Sequence, residues 1–261
     1  LSAIAFTRGP GLMGSLLVGV SFAKGLAASL GIPMIDVNHL HGHVLAHFIR
    51  TEGGEETVPE YPFLCLLVSG GNSQIVLVKS YKDMEIIGQT IDDAAGEAFD
   101  KAARTLGMSY PGGIEMDKVA ELGNPDAFTL PRPTVAGSAY DFSFSGLKTA
   151  VINLIHNAEQ KGITLSKEDV SASFRKAVVG CLTDNLFKAA EDFGAKTIVA
   201  AGGVSANSGV RAALSKACSD RGFEFYMPEL SLCGDNAAMI ACQGSYNFNA
   251  GIIADESLNA V

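Results

Sequence analysis

The sequence predicts an α/β protein with mixed sheets, arranged in two lobes. The first observation behind this prediction is that apolar, strand-like runs alternate with helix-like stretches along the chain. The second is that the 261 residues are 48% hydrophobic and only 18% charged, a composition that buries a sizeable core and argues against disorder. The sequence also shows no short-period repeat and no low-complexity tract.

The first part of the chain is predicted to form strand, helix, strand and helix. A strand and a Gly-Pro turn occupy AIAFTRGPG, and a helix follows over 12–30, ended by Gly31 and Pro33. This helix is apolar enough to suggest a signal peptide or a membrane span. However, Lys24 in its middle and its repeated Ser and Gly residues favour a buried, small-residue helix. PMIDVN is a short strand, and a histidine-rich segment opens the next helix.

The middle of the chain predicts a connector, a hairpin and a helix. The connector is polar, carries Pro and Gly, and spans 51–62. The hairpin is FLCLLVSGGNSQIVLVKS, two apolar runs joined by GGN. The helix is DDAAGEAFDKAARTLG, capped by Asp92 or Asp93. Asp100 is expected either to pair with Arg104 on its solvated face or to accept a hydrogen bond from a hydroxylated ligand.

The last part of the chain contains the clearest unit, a strand, a Gly-rich turn and a helix in KTIVAAGGVSANSGVRAALSKACSDRG. Two amphipathic helices precede it, in SFSGLKTAVINLIHNAEQKG and SKEDVSASFRKAVVGCLTDNLFKAAEDFG. A strand in FEFYMPE and a final helix in CGDNAAMIACQGSYNFNAG, with Asp235 at its start, follow it. Strands and helices therefore alternate to the end of the chain.

Four of the five histidines lie within nine residues, at His39, His41, His43 and His47. On a helix, His39 and His43 share one face, and two imidazoles at this spacing can bind one divalent metal ion. His47, one turn further, is either a third ligand or a surface residue. The alternative for the whole cluster is the polar face of an exposed helix.

Two imidazoles leave a metal site open, so a carboxylate from elsewhere in the chain is required. Asp235 is the candidate, although an Asp at a helix start is also a good N-cap. Leu40 follows His39, so the general-base Glu of an H-E-x-x-H protease is absent.

Three glycine turns follow strands or helices and suggest a nucleotide site. They are AAGGVSANS after 197–201, VSGGN at 68–72 and YPGG at 110–113. Main-chain N–H groups in such turns can face an anion, and glycine permits close approach of the main chain. Asn207 either caps the helix after the first turn or binds a ligand hydroxyl. Any one of these turns could serve only as a turn.

Charge and cysteine content narrow the class of protein. The net charge is −9, which does not indicate a nucleic-acid or membrane surface of its own. An acidic chain can still act on RNA if partners or a local patch supply the positive field. The five cysteines are scattered without a C-x-x-C pair, which is typical of reduced thiols in the cytoplasm.

Together these segments resemble the TsaD family, bacterial type, formerly called Gcp or O-sialoglycoprotein endopeptidase. The resemblance runs over essentially the whole chain and is carried, in order, by TRGPGLMGSLLVG, NHLHGHVLAH, LLVSGGNSQ, IDDAAGEAFDKAARTLGMSYPGG, LPRP, DFSFSGLKTA, AAGGVSANSGVR and CGDNAAMIA. It implies an actin-like ATPase fold (ASKHA, ribonuclease H-like). It also implies transfer of a threonylcarbamoyl group from threonylcarbamoyl-AMP to N6 of the adenosine 3′ of the anticodon (A37) in tRNAs reading ANN codons, forming t6A.

The resemblance also implies site residues. The family's metal ligands correspond to His39, His43 and Asp235, and Gly234 stands where the family usually has Thr. The ion would be iron or zinc, with magnesium accompanying a bound nucleotide. The family's positions for an adenylate or ATP-type ligand correspond to Leu67, Val68, Ser69, Gly70, Gly71, Asp100, Gly113, Asp117 and Asn207.

The expected organisation is a remainder of the first lobe with the histidines over 1–61, a second lobe with the glycine turns over 62–235, and a C-terminal helix over 236–261 that packs back toward the first lobe. Because the chain starts at Leu1 inside a strand-like run and lacks the family's G-I-E-T-S-C-D-E-T-like segment, we expect the first lobe to be incomplete. The family's R-P-R-W tail is also missing.

The resemblance further implies partners: tRNA, a TsaB-type paralogue that pairs with the chain, and a TsaE-type ATPase. No membrane partner is expected. Two other functions stay open from the residues, a metal-dependent glycoprotease and an actin-like nucleotide-binding ATPase or scaffold.

Overall fold

Two β-sheets organise the chain in a computed structural model that describes residues 1–50, 57–255 and 257–261. The predicted connector over 51–62 lies partly outside the described residues. The strands are β1 Ile4–Gly9, β2 Met34–Asn38, β3 Phe63–Val68, β4 Ser73–Val78, β5 Met84–Gln89, β6 Thr197–Ala201 and β7 Glu224–Tyr226. The α-helices are α1 Met13–Leu30, α2 His39–Leu45, α3 Ala95–Thr105, α4 Gly113–Ala120, α5 Ser145–Gln160, α6 Lys167–Phe193, α7 Ser208–Arg221, α8 Leu230–Cys233 and α9 Ala237–Asn249.

The smaller sheet is the parallel pair β1 and β2, joined by α1. Gly31 ends α1 in the left-handed conformation, with φ of 64°, as its position after the last apolar residue predicts. Helix α9 packs against both strands and against α2. The approach is close, because a Cβ at Gly244 would lie 2.5 Å from Ala5 Cβ. The end of the chain therefore closes over the sheet at its start.

Helix α1 is mostly exposed, which corrects the prediction of a buried helix. Its buried residues share the face that covers the smaller sheet, and they are Leu16, Val20, Ala23 and Ala27. On the other side of the helix Val18 is 71% exposed and Phe22 is 70% exposed. By length and composition alone α1 could cross a membrane. Small residues let the helix lie close to the strands, but they do not bury its second face.

The larger sheet is mixed, with the order β5-β4-β3-β6-β7. Strand β3 pairs antiparallel with β4 and parallel with β6. All six β3 residues are buried, because the sheet is covered on both faces. One face of β3 packs into the main core with helices α3, α5 and α6, and the other packs against Val44 of α2. This double covering fixes the turns after β3 and β6 in place.

The predicted N-cap of α3 is wrong. The N-cap of α3 is Ala94, without a side-chain cap, rather than Asp92 or Asp93. Asp92 instead accepts hydrogen bonds from the segment 143–145 at the start of α5, and Asp93 pairs with Lys101. Tertiary partners thus compete successfully with local capping. Strand β5 and helix α4 were not predicted from the sequence.

Candidate metal centre and ligand cleft

Helix α2 presents its two predicted metal-ligand histidines side by side. Asn38 caps the helix by accepting hydrogen bonds from Leu40 N and His41 N, at 2.9 and 3.2 Å, so the helix starts at His39. His39 and His43 are one turn apart, and their ring centroids lie 4.8 Å apart with the planes at 82°. The i,i+4 spacing therefore places both imidazoles on one face.

Asp235 lies against both rings although it is far away in sequence. Its Oδ1 is 3.3 Å from His39 Nε2 and 3.2 Å from His43 Nε2. The adjacent Asn236, and not Asp235, caps α9 by accepting from Met239 N. Asp235 is accordingly free of the capping role that its position suggested. The three residues that the sequence assigns to a metal meet at one point, which we call the His-His-Asp cluster.

The donor chemistry of the His-His-Asp cluster fits a divalent cation. Two ligands of a tetrahedral ion with bonds of about 2.0–2.1 Å lie roughly 3.3 Å apart, and the carboxylate oxygen lies 3.2–3.3 Å from each ring nitrogen. Burial lowers the pKa of His43, and the neighbouring His39 lowers it further, while Asp235 opposes both effects. Because the neutral imidazole is the form that binds metal, this shift favours coordination at neutral pH.

His47 is neither a third ligand nor a surface residue. It is half-buried, and its Nε2 lies 2.8 Å from the carbonyl oxygen of Ala200 in β6. Burial lowers the pKa of His47 to about 4, with the bond to Ala200 opposing the shift, so the ring is neutral and donates to the carbonyl. His47 therefore joins the segment after α2 to the larger sheet and takes no part in the metal site.

A cavity of about 550 Å³ opens between α3, α4, the start of α7 and the turns after β3 and β6. We call it the ligand cleft. Its lining combines glycines, carboxylates and apolar side chains: Gly70, Gly96, Phe99, Asp100, Pro111, Gly113, Ile114, Asp117, Lys118, Gly203, Val204, Ala206, Asn207 and Leu230. Its size suits a ligand such as a nucleotide.

The glycine turns bring the main chain into the cleft. Gly202 has φ of 87°, and a Cβ there would lie 2.4 Å from the carbonyl oxygen of Val68. Only glycine therefore allows the turn after β6 to pass over the end of β3. Gly70 and Gly203, one from each turn, both line the cleft.

The predicted ligand positions divide into two groups. Gly70, Asp100, Gly113, Asp117 and Asn207 line the ligand cleft. Leu67 and Val68 are buried on opposite faces of β3, so only their main chain could reach a ligand. Ser69 and Gly71 belong to the hairpin turn, where Ser69 Oγ accepts from Asn72 N at 3.1 Å.

The polar residues of the cleft are held by main-chain contacts. Asp100 Oδ1 accepts from Gly112 N and Gly113 N, both at 2.9 Å, instead of forming the predicted pair with Arg104. Asn207 caps α7 by accepting from Val210 N at 3.1 Å and also lines the cleft, so both of its proposed roles are compatible. The turns and the ends of α4 and α7 are thereby fixed to one another.

The residues that hold Asp117 were not predicted from the sequence. Arg175 of α6 contacts Asp117, Glu121 and Ser208. The signal that could have indicated them is the i,i+4 pair of carboxylates, Asp117 in α4 and Glu121 at its C-cap, which favours a cation from another helix. No spacing rule identifies which residue supplies that cation.

The segment 230–235 connects the ligand cleft to the His-His-Asp cluster along the chain. Leu230 of α8 lines the cleft, and Asp235 belongs to the His-His-Asp cluster. A second cavity of about 620 Å³ is lined by His39, Asp235 and the turn at 10–12. The described lining of this cavity shares no residue with that of the cleft.

A mixed α/β fold with glycine turns at a cleft and a His-His-Asp donor set defines a class of protein whose site is compatible with a divalent metal ion and a nucleotide-type ligand. The chain belongs to the TsaD family, described as tRNA N6-adenosine threonylcarbamoyltransferase, whose model matches residues 1–242. A relative of that name from Porphyromonas gingivalis is 55% identical over 254 residues, covering 96% of this chain and 74% of the relative. A relative of the same name from Thermosipho africanus is 48% identical, and the match covers 100% of this chain and 77% of the relative.

Solved structures agree on the fold. Full-length HypF in its phosphate- and nucleotide-bound form matches with a TM-score of 0.67 and 16% identity. The match covers 95% of this chain and 39% of the HypF chain. Component A of (R)-2-hydroxyglutaryl-CoA dehydratase from Acidaminococcus fermentans matches with a TM-score of 0.51 and 18% identity. That match covers 93% of this chain and 87% of the component A chain. At such identities only the fold is shared. These matches confirm the predicted actin-like α/β fold.

Proposed function

We propose that this chain transfers the threonylcarbamoyl group of threonylcarbamoyl-AMP to N6 of A37 in tRNAs reading ANN codons, forming t6A. The observation that carries the proposal is the match to the transferase family over 1–242, in a chain that brings His39, His43 and Asp235 together. The relatives bear the name of this activity. The glycoprotease alternative is not favoured, because no Glu follows His39 to act as a general base.

The ligand cleft would bind the adenylate. Gly70 and Gly203 offer main-chain groups without side chains in the way, which suits phosphate oxygens. Asp117 and Asn207 offer oxygens that accept hydrogen bonds from ribose hydroxyls. These residues would hold the donor in one orientation, and orientation supplies much of the rate when the attacking amine is a poor nucleophile.

The transfer itself is a substitution at a carbamoyl carbon. The N6 nitrogen of the adenosine forms a bond to that carbon, the bond from the carbon to the phosphate oxygen breaks, and AMP leaves with the electron pair. The proton that the amine loses passes to solvent water. When bound at His39, His43 and Asp235, a divalent ion, iron or zinc, supplies positive charge that stabilises an oxyanion. Magnesium would accompany the phosphate of a nucleotide.

A paired substitution tests this proposal. The complete protein, with its partners, is given threonylcarbamoyl-AMP and unmodified tRNA, and the modified nucleoside is measured. Replacing both His39 and His43 by Ala should abolish transfer and metal retention while circular dichroism stays unchanged. His156→Ala is the matched control, because this histidine lies on α5 outside the His-His-Asp cluster and forms a hydrogen bond with Gln160 of the same helix. Wild-type transfer by the double variant would remove the proposal.

We also propose that α1 is the docking face for a TsaB-type paralogue. Its outer surface carries Val18, Phe22 and Leu17, which are 71%, 70% and 49% exposed. An apolar face of this kind on a long helix suits a second helix of a related chain. Mass measurement of the complete protein mixed with the paralogue should show a heterodimer that Phe22→Glu abolishes. A heterodimer of unchanged affinity in that variant would contradict this role.

A TsaE-type ATPase and tRNA complete the proposed set of partners, and we place the protein in the cytoplasm. All five cysteines are free, which agrees with a reducing compartment. We propose the division 1–61, 62–235 and 236–261 on the grounds that the smaller sheet, the larger sheet and α9 fall into these ranges.

A further inference from the structure

One arginine links three helices behind the ligand cleft. Nη1 of Arg175, in the middle of α6, donates to Asp117 Oδ1 at 2.9 Å and to Ser208 Oγ at 2.8 Å, and it also contacts Glu121 Oε1. Asp117 belongs to α4, Glu121 is the C-cap residue directly after it, and Ser208 is the first residue of α7. The side chains of Arg175 and Asp117 are only 16% and 15% exposed. Charges this far from water interact more strongly than surface pairs do.

Both oxygens of Asp117 have partners within the protein. Oδ1 accepts from Arg175 and from Ser208 Oγ, the latter at 3.0 Å, while Oδ2 accepts from Ser208 N at 2.8 Å. Asp117 also lines the ligand cleft. A carboxylate oxygen has more than one lone pair, so these bonds leave acceptor capacity for a ligand. The orientation of the carboxylate is therefore fixed before any ligand binds.

The course of the Arg175 side chain depends on a glycine. A Cβ at Gly209 would lie 2.7 Å from Arg175 Cδ and 2.9 Å from its Nε. The absence of a side chain at this position lets the arginine stem pass the first turn of α7. A side chain at position 209 would displace the arginine stem, so Gly209 helps to define the course of Arg175.

We infer that Arg175 is a positioning residue that sets the affinity of the cleft for an adenylate by orienting Asp117. The inference rests on the proposed function, since it assumes that the cleft binds the adenylate donor. Without the cation, Asp117 and Glu121 repel each other across one turn of α4, and the Asp117 carboxylate turns away from the ligand. Arg175 touches no ligand itself and acts only through Asp117.

A purely structural role for Arg175 would give a different result. Loss of a link between helices lowers the melting temperature but leaves the affinity of the folded protein unchanged. If the Asp117 carboxylate loses its orientation, the Kd for the ligand rises, and KM for the donor rises far more than kcat falls. The two roles are therefore separated by measuring binding on folded protein.

The experiment uses AMP as the probe and isothermal titration of the complete protein. Arg175→Met keeps an unbranched stem and removes the charge, and it should weaken AMP binding about tenfold, the effect of one lost hydrogen bond to a charged group. Arg175→Lys restores the cation and should return the Kd to within about threefold of the wild type. Arg132→Met is the matched control. It removes an exposed ion pair, 3.1 Å long, between Arg132 and Asp184 of α6, and it should leave the Kd for AMP unchanged.

The outcomes are distinct. A folded Arg175→Met variant with wild-type Kd and donor KM would overturn this inference alone, because transfer by the wild type would still stand. A wild-type protein that neither binds AMP nor modifies tRNA would overturn the proposed function and the inference with it. If Arg175→Met fails to fold, Ser208→Ala decides the question. This variant keeps the Asn207 cap of α7 and should weaken AMP binding about threefold, and an unchanged Kd would count against the inference.

Discussion

Replacing Gly96 by Ala should both destabilise the protein and weaken nucleotide binding. Gly96 is the second residue of α3, and its N–H donates to the carbonyl oxygen of Ser69, at 3.3 Å. An added Cβ would lie 2.6 Å from that oxygen, 2.8 Å from Gly70 Cα and 3.0 Å from Val204 Cγ2. Two of these atoms are main chain, so the hairpin turn itself would have to move.

The expected loss in the free energy of unfolding of Gly96→Ala follows from two opposing effects. Overpacking a close-packed site costs about 1–3 kcal/mol. Ala is favoured over Gly within a helix by roughly 0.5–1 kcal/mol, which offsets part of that cost. We therefore expect a net loss of about 1–2 kcal/mol, or a melting temperature lower by roughly 2–8 °C for a chain of this size. Movement of Gly70 should also weaken AMP binding several-fold.

Gly25→Ala provides the matched control. Gly25 lies inside α1, and a Cβ there would meet nothing within 4 Å. The same substitution should therefore raise the melting temperature slightly and leave AMP affinity unchanged. Scanning calorimetry and isothermal titration measure both quantities. Equal effects of the two substitutions, or a Gly96→Ala variant as stable as the wild type, would refute the reasoning.

Three further predictions concern His47, Asp235 and Asp92. The pKa of His47 is about 4 in the folded protein and about 6.5 when unfolded. The stability that its neutral form contributes is therefore present above pH 6.5 and is lost as pH falls toward 4, by up to about 3 kcal/mol. Urea unfolding across this range should show a smaller loss in His47→Gln, and parallel curves would contradict the assignment. Asp235→Asn should lower zinc affinity by at least about tenfold, measured by competition with a chelator, and retention of full affinity would exclude the carboxylate as a ligand. Asp92→Ala should lower the free energy of unfolding by about 1 kcal/mol, because Asp92 caps the start of α5 from another segment; an unchanged urea midpoint would show that these bonds contribute nothing.

Local periodicity predicted much of the fold. The apolar run after Lys196 was predicted as a strand over 197–201, and the structure has β6 at Thr197–Ala201. The hairpin joined by GGN and the helix ended by Gly31 also agree. These elements were predictable because their signals are local, being apolar runs bounded by residues with special backbone preferences. Strand β5 was missed because MEIIGQ is largely exposed and contains Gly88, which weakens the strand signal.

The candidate site was only half predictable. Helical spacing indicates that His39 and His43 share a face, but nothing local indicates that Asp235, 192 residues beyond His43, meets them. The role of His47 was misjudged because its partner, the Ala200 carbonyl, is set by how α2 packs on the larger sheet. The pair Asp100 and Arg104 failed for the same reason, since tertiary main-chain donors were available to Asp100.

The pairing of β3 with β6 has a consequence for synthesis of the chain. Leu64 and Ile198 face each other in the register of the two strands, so the parallel half of the sheet waits for about 130 residues to be made. At roughly 5–20 residues per second the ribosome needs on the order of ten seconds for that stretch. During that interval the fully apolar β3 has only its hairpin partner β4, and one of its hydrogen-bonding edges stays open. We expect a nascent chain stalled before β6 to bind chaperones at this edge and to be released once β6 emerges.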